Sequence, residues 1–164
     1  MTIGIPGISY EVLLAYTGGE TRRWFDWFEA HPTAALDVPI GEGRTATVRG
    51  MLIHIFAVEL RYAQRLLGEP VTPYESLLSN SLHDIFTISG DARNKMEFYL
   101  ASATSDDLNK SLTFETISMG TLKASAATIV AHYFIHGIRH WAQVATALRQ
   151  AGYKDQWAHD VLFG

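Results

Sequence analysis

Four stretches of this chain repeat their apolar residues largely at spacings of three and four, and this period most narrows what the chain can fold into. Between Tyr10 and Ala30, the residues Val12, Leu13, Tyr16, Trp24, Trp27 and Phe28 follow it, which is the pattern of an amphipathic helix. Gly18-Gly19 lowers propensity inside it and marks a bend, and His31-Pro32 ends it, because the residue before proline is driven out of the α region. A polar connector from Asp37 to Ala46 leads to a second helix over Thr47 to Leu67, closed by Gly68. Pro70 and Pro73 make Gly68 to Ser81 a loop. The third helix starts near Ser81 or after Gly90 and runs to about Ala103, with Met96, Tyr99 and Leu100 on its core side. Ser105-Asp106-Asp107 reads as a cap or turn. From Lys110 to Ala124, Leu112, Phe114, Ile117 and Met119 sit among Thr and Ser, a strand-like or irregular pattern. The fourth helix covers Ser125 to Gln150 and stops at Gly152. The expected fold is all-α: an up-down four-helix bundle with long connections and a short irregular or β-like segment before the last helix.

With 164 residues, 48% of them hydrophobic, the chain fits one domain with one core, so residues 1–164 are read as a single unit. A formal charge of −4 and the lack of any run of like charge argue against nucleic-acid binding. No apolar run approaches the roughly 18 residues of a membrane span, and the first residues lack a signal-peptide pattern, so the expectation is a soluble cytoplasmic protein. There is no cysteine, which leaves His, Asp and Glu as metal ligands.

Those ligands concentrate in one place. In AHYFIHGIRHWAQ, residues 131 to 143, histidines stand at 132, 136 and 140. Positions four apart lie one above the other on a helix, about 6 Å apart, so His136 and His140 can aim at one point. Each such step also rotates by roughly 40°, so His132 is too far round to join them, and at most two of the stripe should ligate. The third ligand must come from another helix, and the second offers His54 on its apolar face. Several buried imidazoles each need partners for two ring nitrogens, and a metal supplies one per ring. The plainer reading is that these are core histidines, each with an ordinary hydrogen bond.

The neighbours read as follows. Residues 137 to 139 are Gly-Ile-Arg, so the glutamate of HExxH, the general base of zincin proteases, is missing. Glu59 is about 140° round the helix from His54, which favours a structural pairing with Arg61 or Arg65 over a place in a second shell behind the ligands. Arg139 either presents a cation at the mouth of the site or reaches solvent. Trp24, Trp27 and Phe28 are core or interface aromatics, and Tyr133 and Trp141 point about 100° away from the stripe into packing. His31, His83 and His159 fall in loop or terminal regions and receive no role.

Taken together, MLIHIFAVELRYAQRLLGE, HYFIHGIRHWAQV and LRQAGYKDQWAHDVLF resemble the second-helix, fourth-helix and closing blocks of the DinB family of bacterial four-helix-bundle proteins. The third helix matches only in outline. The resemblance implies a divalent metal, often zinc or nickel, held by His54, His136 and His140 with open positions for water, and His132, Arg139 and Glu59 as candidates for the surrounding shell. It departs from the family where a histidine doublet followed by Arg-Gly-Gln appears as Arg139-His140-Trp141-Ala142-Gln143, and where Ile135 replaces a common asparagine. Three neutral ligands leave the ion its full charge, which suits a metal-dependent thiol S-transferase or hydrolase acting on a small molecule. With no cysteine in the chain, a reacting thiol would come from a low-molecular-weight cosubstrate. The family resemblance also implies a homodimer. The reading from a different class is a non-catalytic metal-binding or stress-response dimerisation module.

Overall fold

A computed structural model describes residues 9–117, 119–155 and 157–163 of the chain. Four long helices carry the fold: α1 (Tyr10–Glu29), α2 (Val48–Leu67), α3 (Leu82–Ser102) and α5 (Ala126–Gln150). A single short helix, α4 (Ser105–Asn109), and an antiparallel hairpin, β1 (Ser111–Thr116) with β2 (Gly120–Ser125), lie between α3 and α5. Each long helix opens on a hydroxyl cap that satisfies an otherwise free backbone N–H: Ser9 accepts from Val12, Thr47 from Gly50, Ser81 from Asp84 and Ser125 from Thr128. Helix α2 ends where Gly68 takes the left-handed conformation, φ 68°. Of the two starts considered for the third helix, Ser81 is the cap, and Gly90 lies in mid-helix.

Helix α2 packs mainly against α3 and α5, and α1 packs against the same two, so the order round the bundle is α1, α3, α2, α5. The long 30–47 connection carries the chain from α1 to the opposite corner of the bundle. Its Val38 and Thr47 flank the start of α2, and the backbone N–H of Val48 donates to Val38 O at 2.9 Å. The cap or turn expected at Ser105 closes as a full capping box between Thr104 and Asp107. The strand-like segment pairs in register from Ser111 with Ser125 to Thr116 with Gly120, and the N–H of Ala126 donates to Lys110 O, so the hairpin runs straight into the first turn of α5.

The aromatic residues of α1 belong to the core. Trp24 is fully buried, stacks on Trp141 at 5.4 Å, and meets Phe28 at 5.7 Å and Trp157 at 4.9 Å. Trp27 and Phe28 are buried beside it. The 157–163 segment is tied to α1 through Glu20, only 2% exposed, which accepts from Trp157 Nε1 at 2.9 Å and pairs with His159 Nδ1 at 2.7 Å. His159, given no role in the sequence, therefore anchors the closing segment, with Asp155 on its other nitrogen at 2.9 Å. No helix among the described residues is long and apolar enough to cross a membrane.

Candidate metal centre

Helices α2 and α5 are neighbours, and their facing stripes place His54 opposite His136 and His140. Ring centroids are 4.9 Å apart for His54 and His136, 5.0 Å for His54 and His140, and 4.4 Å for His136 and His140. One nitrogen of each ring lies within 4.8 Å of the other two, and the Nε2 atoms of His54 and His136 are 3.1 Å apart. His136 and His140 are buried and His54 is half-buried.

Burial, reinforced by the neighbouring rings, holds all three imidazoles neutral. His54 is pushed down to about 4 by burial first, then by His140 and Arg139. His136 is pushed down to about 2, again by burial first, then by His140 and His54. His140 is lowered by burial, which outweighs the opposing effect of its bond to Gln143. Three uncharged rings with converging lone pairs are a donor set for a divalent cation. At metal–nitrogen bonds of about 2.0–2.1 Å, tetrahedral ligand nitrogens sit roughly 3.3 Å apart, so the 3.1 Å pair already has suitable spacing, and the His140 nitrogen lies within 4.8 Å of both. The buried Nδ1 of His136 has no partner among the described residues, so the ring's one satisfied edge is the one facing the cluster.

The orientation of His140 is set from behind. Its Nδ1 and the Gln143 Oε1 are 2.5 Å apart; with the proton on Nδ1 donating to Gln143, Nε2 is left as a lone pair facing the site. Gln143 was missed as a functional residue in the sequence; the spacing of three after a ligand histidine, which puts both on one helical face, is the signal that marks it. Arg139 Nη2 contacts that same Nε2 at 3.3 Å. Replacing Gln143 by leucine, which keeps the volume and removes the acceptor, is expected to weaken metal binding about 10- to 100-fold in competition with a chelating dye, whereas glutamate at this position retains it.

His132 stands one turn earlier, exposed, with its ring 5.2 Å from both His136 and Tyr62, outside the convergent group. Glu59 departs from both sequence readings. Arg61 donates to Thr72 O at 3.0 Å and Arg65 to Glu115 O at 2.9 Å, so neither pairs with it. It also does not stand behind the ligands. Its carboxylate is buried against Gly137, where a Cβ would lie 2.7 Å from Oε1, and it faces a different cavity, between α1 and α3.

His54 and His136, with His132 beside them, line a cavity of about 530 Å³. Its outer wall is the hairpin, through Thr116, Ile117, Met119 and Leu122, and its rim carries Arg44, Arg61, Arg65 and Arg139. Among the described residues Glu42 is the one carboxylate lining it, and Glu75 lies 3.8 Å from Arg44 outside. On a chain of net charge −4, this is a concentration of positive charge.

The model of the DinB family matches residues 8–163. The chain belongs to the DinB family. Among solved structures, YfiT from Bacillus subtilis, described as a probable metal-dependent hydrolase with an unusual four-helix bundle topology, superposes with a TM-score of 0.68 at 16% identity, covering 94% of each chain. The DinB-like protein YjoA, also from Bacillus subtilis, gives a TM-score of 0.63 at 11% identity over 90% of this chain and 97% of its own. No curated protein matches the chain. The four-helix bundle expected of a DinB protein is thus the fold observed, and its α2 and α5 bring the three histidines together.

Proposed function

We propose that this DinB protein is a divalent-metal enzyme in which His54, His136 and His140 hold Zn²⁺ or Ni²⁺, and that it transfers a low-molecular-weight thiol to a small electrophile. The observation that carries this reading is the convergence of three neutral imidazoles, within 4.8 Å, two of which, His54 and His136, line an arginine-rimmed cavity. When bound, the ion supplies Lewis acidity that deprotonates a thiol near neutral pH. The residues of the chain do the rest. Gln143 keeps the His140 lone pair pointed inward, and burial of His136 excludes water from one side. Arg139, which contacts His140 Nε2 at 3.3 Å and lines the cavity, would offer its guanidinium to a carboxylate there. Arg65, braced over Phe114 at 4.9 Å and bonded to the hairpin through Glu115 O, offers a second fixed cation. Common small thiols carry carboxylates, which such a rim selects.

Hydrolysis is the second reading, favoured by the structural likeness to YfiT. Glu59 faces a different cavity, and among the described residues Glu42 is the one carboxylate that lines the cavity of the histidines; with so few bases at hand for a water, thiol transfer is placed first. A homodimer is also proposed for this protein. The test is turnover by zinc- or nickel-loaded protein of carboxylate-bearing thiols paired with a haloarene, run beside aryl esters and amides. Thiol transfer is expected, with Arg139→Ala raising KM for the carboxylated thiol about 10-fold relative to a neutral one. Ester or amide cleavage alone selects the hydrolase, and inertness toward all substrates with the metal retained supports the non-catalytic metal-binding module.

A further inference from the structure

On the far side of the bundle from the histidines lies a cavity of about 450 Å³, within the range of small-molecule pockets, roughly 300–1,000 Å³. Its wall is cut from helix interiors by glycine: Gly18 and Gly19 in α1 and Gly90 in α3 line it, and Gly137 in α5 makes room for the Glu59 carboxylate beneath. Each of these glycines lowers helix propensity; Gly18 leaves room for the Arg93 guanidinium, Gly137 for the Glu59 carboxylate, and Gly90 leaves open space. Glu59 reaches into that space from α2. It is 92% buried, being 8% exposed, and makes no hydrogen bond or ion pair among the described residues. Its oxygens are not wholly enclosed, so the carboxyl can take a donor that enters the cavity.

The surroundings specify that donor. Arg93 also lines the cavity, but its charge is paired elsewhere: its Nε meets Glu97 at 2.8 Å and its Nη1 donates to Leu14 O at 2.8 Å. Arg22 stands at the rim in solvent, where its charge is screened. Burial pushes Glu59 up to about 8 even with Arg93 nearby, so the protein itself does not compensate this charge. Ser89 and Tyr133 bring two buried hydroxyls to the same cavity, and Phe25 and Phe86 supply its aromatic walls, 5.1 Å apart and edge to face. A lone carboxylate is too few ligands for a divalent metal, and the space is too large for a bare monovalent ion. We propose that this cavity binds a small organic ammonium ion, its –NH₃⁺ group on the Glu59 carboxylate with Ser89 and Tyr133 accepting beside it, and its hydrocarbon body against the wall that the Phe25–Phe86 pair makes. An ammonium carries three donors for those three oxygens and is attracted by aromatic faces as well.

The experiment is a titration of the full-length protein, followed by NMR, with 2-phenylethylammonium and with its neutral isostere 2-phenylethanol. The ammonium is expected to bind saturably and at least about 10-fold more tightly than the alcohol, and to shift the carboxyl ¹³C resonance of Glu59 toward the ionised form. Glu59→Gln should lose that preference while still binding the alcohol. Gly90→Phe, whose side chain enters open space, should block both ligands without unfolding α3. Equal affinity for the two ligands, an unchanged preference in Glu59→Gln, or the absence of saturable ammonium binding by the native protein would each overturn the proposal. Should Glu59→Gln fail to fold, the carboxyl resonance of the native protein and the Gly90→Phe variant still decide it.

Discussion

His136→Ala is expected to leave the purified protein with less than about a tenth of the metal carried by the native chain, because two imidazoles do not make the three-ligand set that an open metal site needs. His136 sits between the other two rings, its centroid 4.4 Å from His140 and 4.9 Å from His54, so its loss leaves no pair able to substitute for it. The substitution should be mild for the metal-free protein. It removes a buried Nδ1 that has no partner, which offsets much of the cost of the small void. The separation of these two effects is what makes the experiment informative. An ion that binds only the folded state stabilises it by about 4 kcal/mol when present at a thousand times its dissociation constant. Melting curves with and without chelator should therefore diverge for the native protein and coincide for His136→Ala, while elemental analysis reports the metal directly. Metal content equal to that of the native protein would reassign the ligands.

Glu59→Gln is expected to make the protein more stable than the native chain in alkaline solution. Burial raises the Glu59 carboxyl from its ordinary 4.5 to about 8. The folded state thus holds a proton that the unfolded chain releases, and the contribution of this group to stability is complete below pH 4.5 and declines as the pH climbs toward 8. The slope is about 1.4 kcal/mol per pH unit, so the full loss between 4.5 and about 8 is at most about 5 kcal/mol, reduced by whatever water the cavity admits. Glutamine has the same shape and no proton to lose. Urea unfolding at pH 5, 7 and 9 should show the two proteins close together in acid and separated by several kcal/mol in base, with Glu59→Gln the more stable. Parallel curves would mean that the carboxylate is ionised and compensated in the folded protein.

The parts of this molecule that were legible in its sequence are those decided locally. Thr47 and Ser125 announce helix starts because a cap is a contact across three residues, and Gly68 announces an end because only a left-handed residue closes the turn. The pairing of His136 with His140 was legible for the same reason, and His54 followed from its apolar face. What escaped was decided by tertiary placement. Glu59 has two arginines within six residues, and local charge pairing pointed to them, but backbone carbonyls of Thr72 and Glu115 claim both. The companion of Glu59 is instead Gly137, 78 positions on, where the missing side chain is the contact. His159 reads as a terminal residue until Glu20, 139 positions away, is seen to hold it. Gln143 lay within reach, since it shares a helical face with His140, but its role shows only once the ring nitrogen that it binds is known to face away from the cluster.

The hairpin adds something that the bundle cannot. Its strands meet residue for residue from Ser111 and Ser125 outward, and its base is fastened to α5 at Ala126 while its far end overhangs the histidines. Equal insertions in both arms would move that overhang by about 3.3 Å per residue and leave the rotational phase of α5, and so the aim of His136 and His140, untouched. The wall of the cavity and the aim of the histidines are therefore set by separable pieces of chain, so a change of ribbon alone can reshape the room in front of His54 and His136.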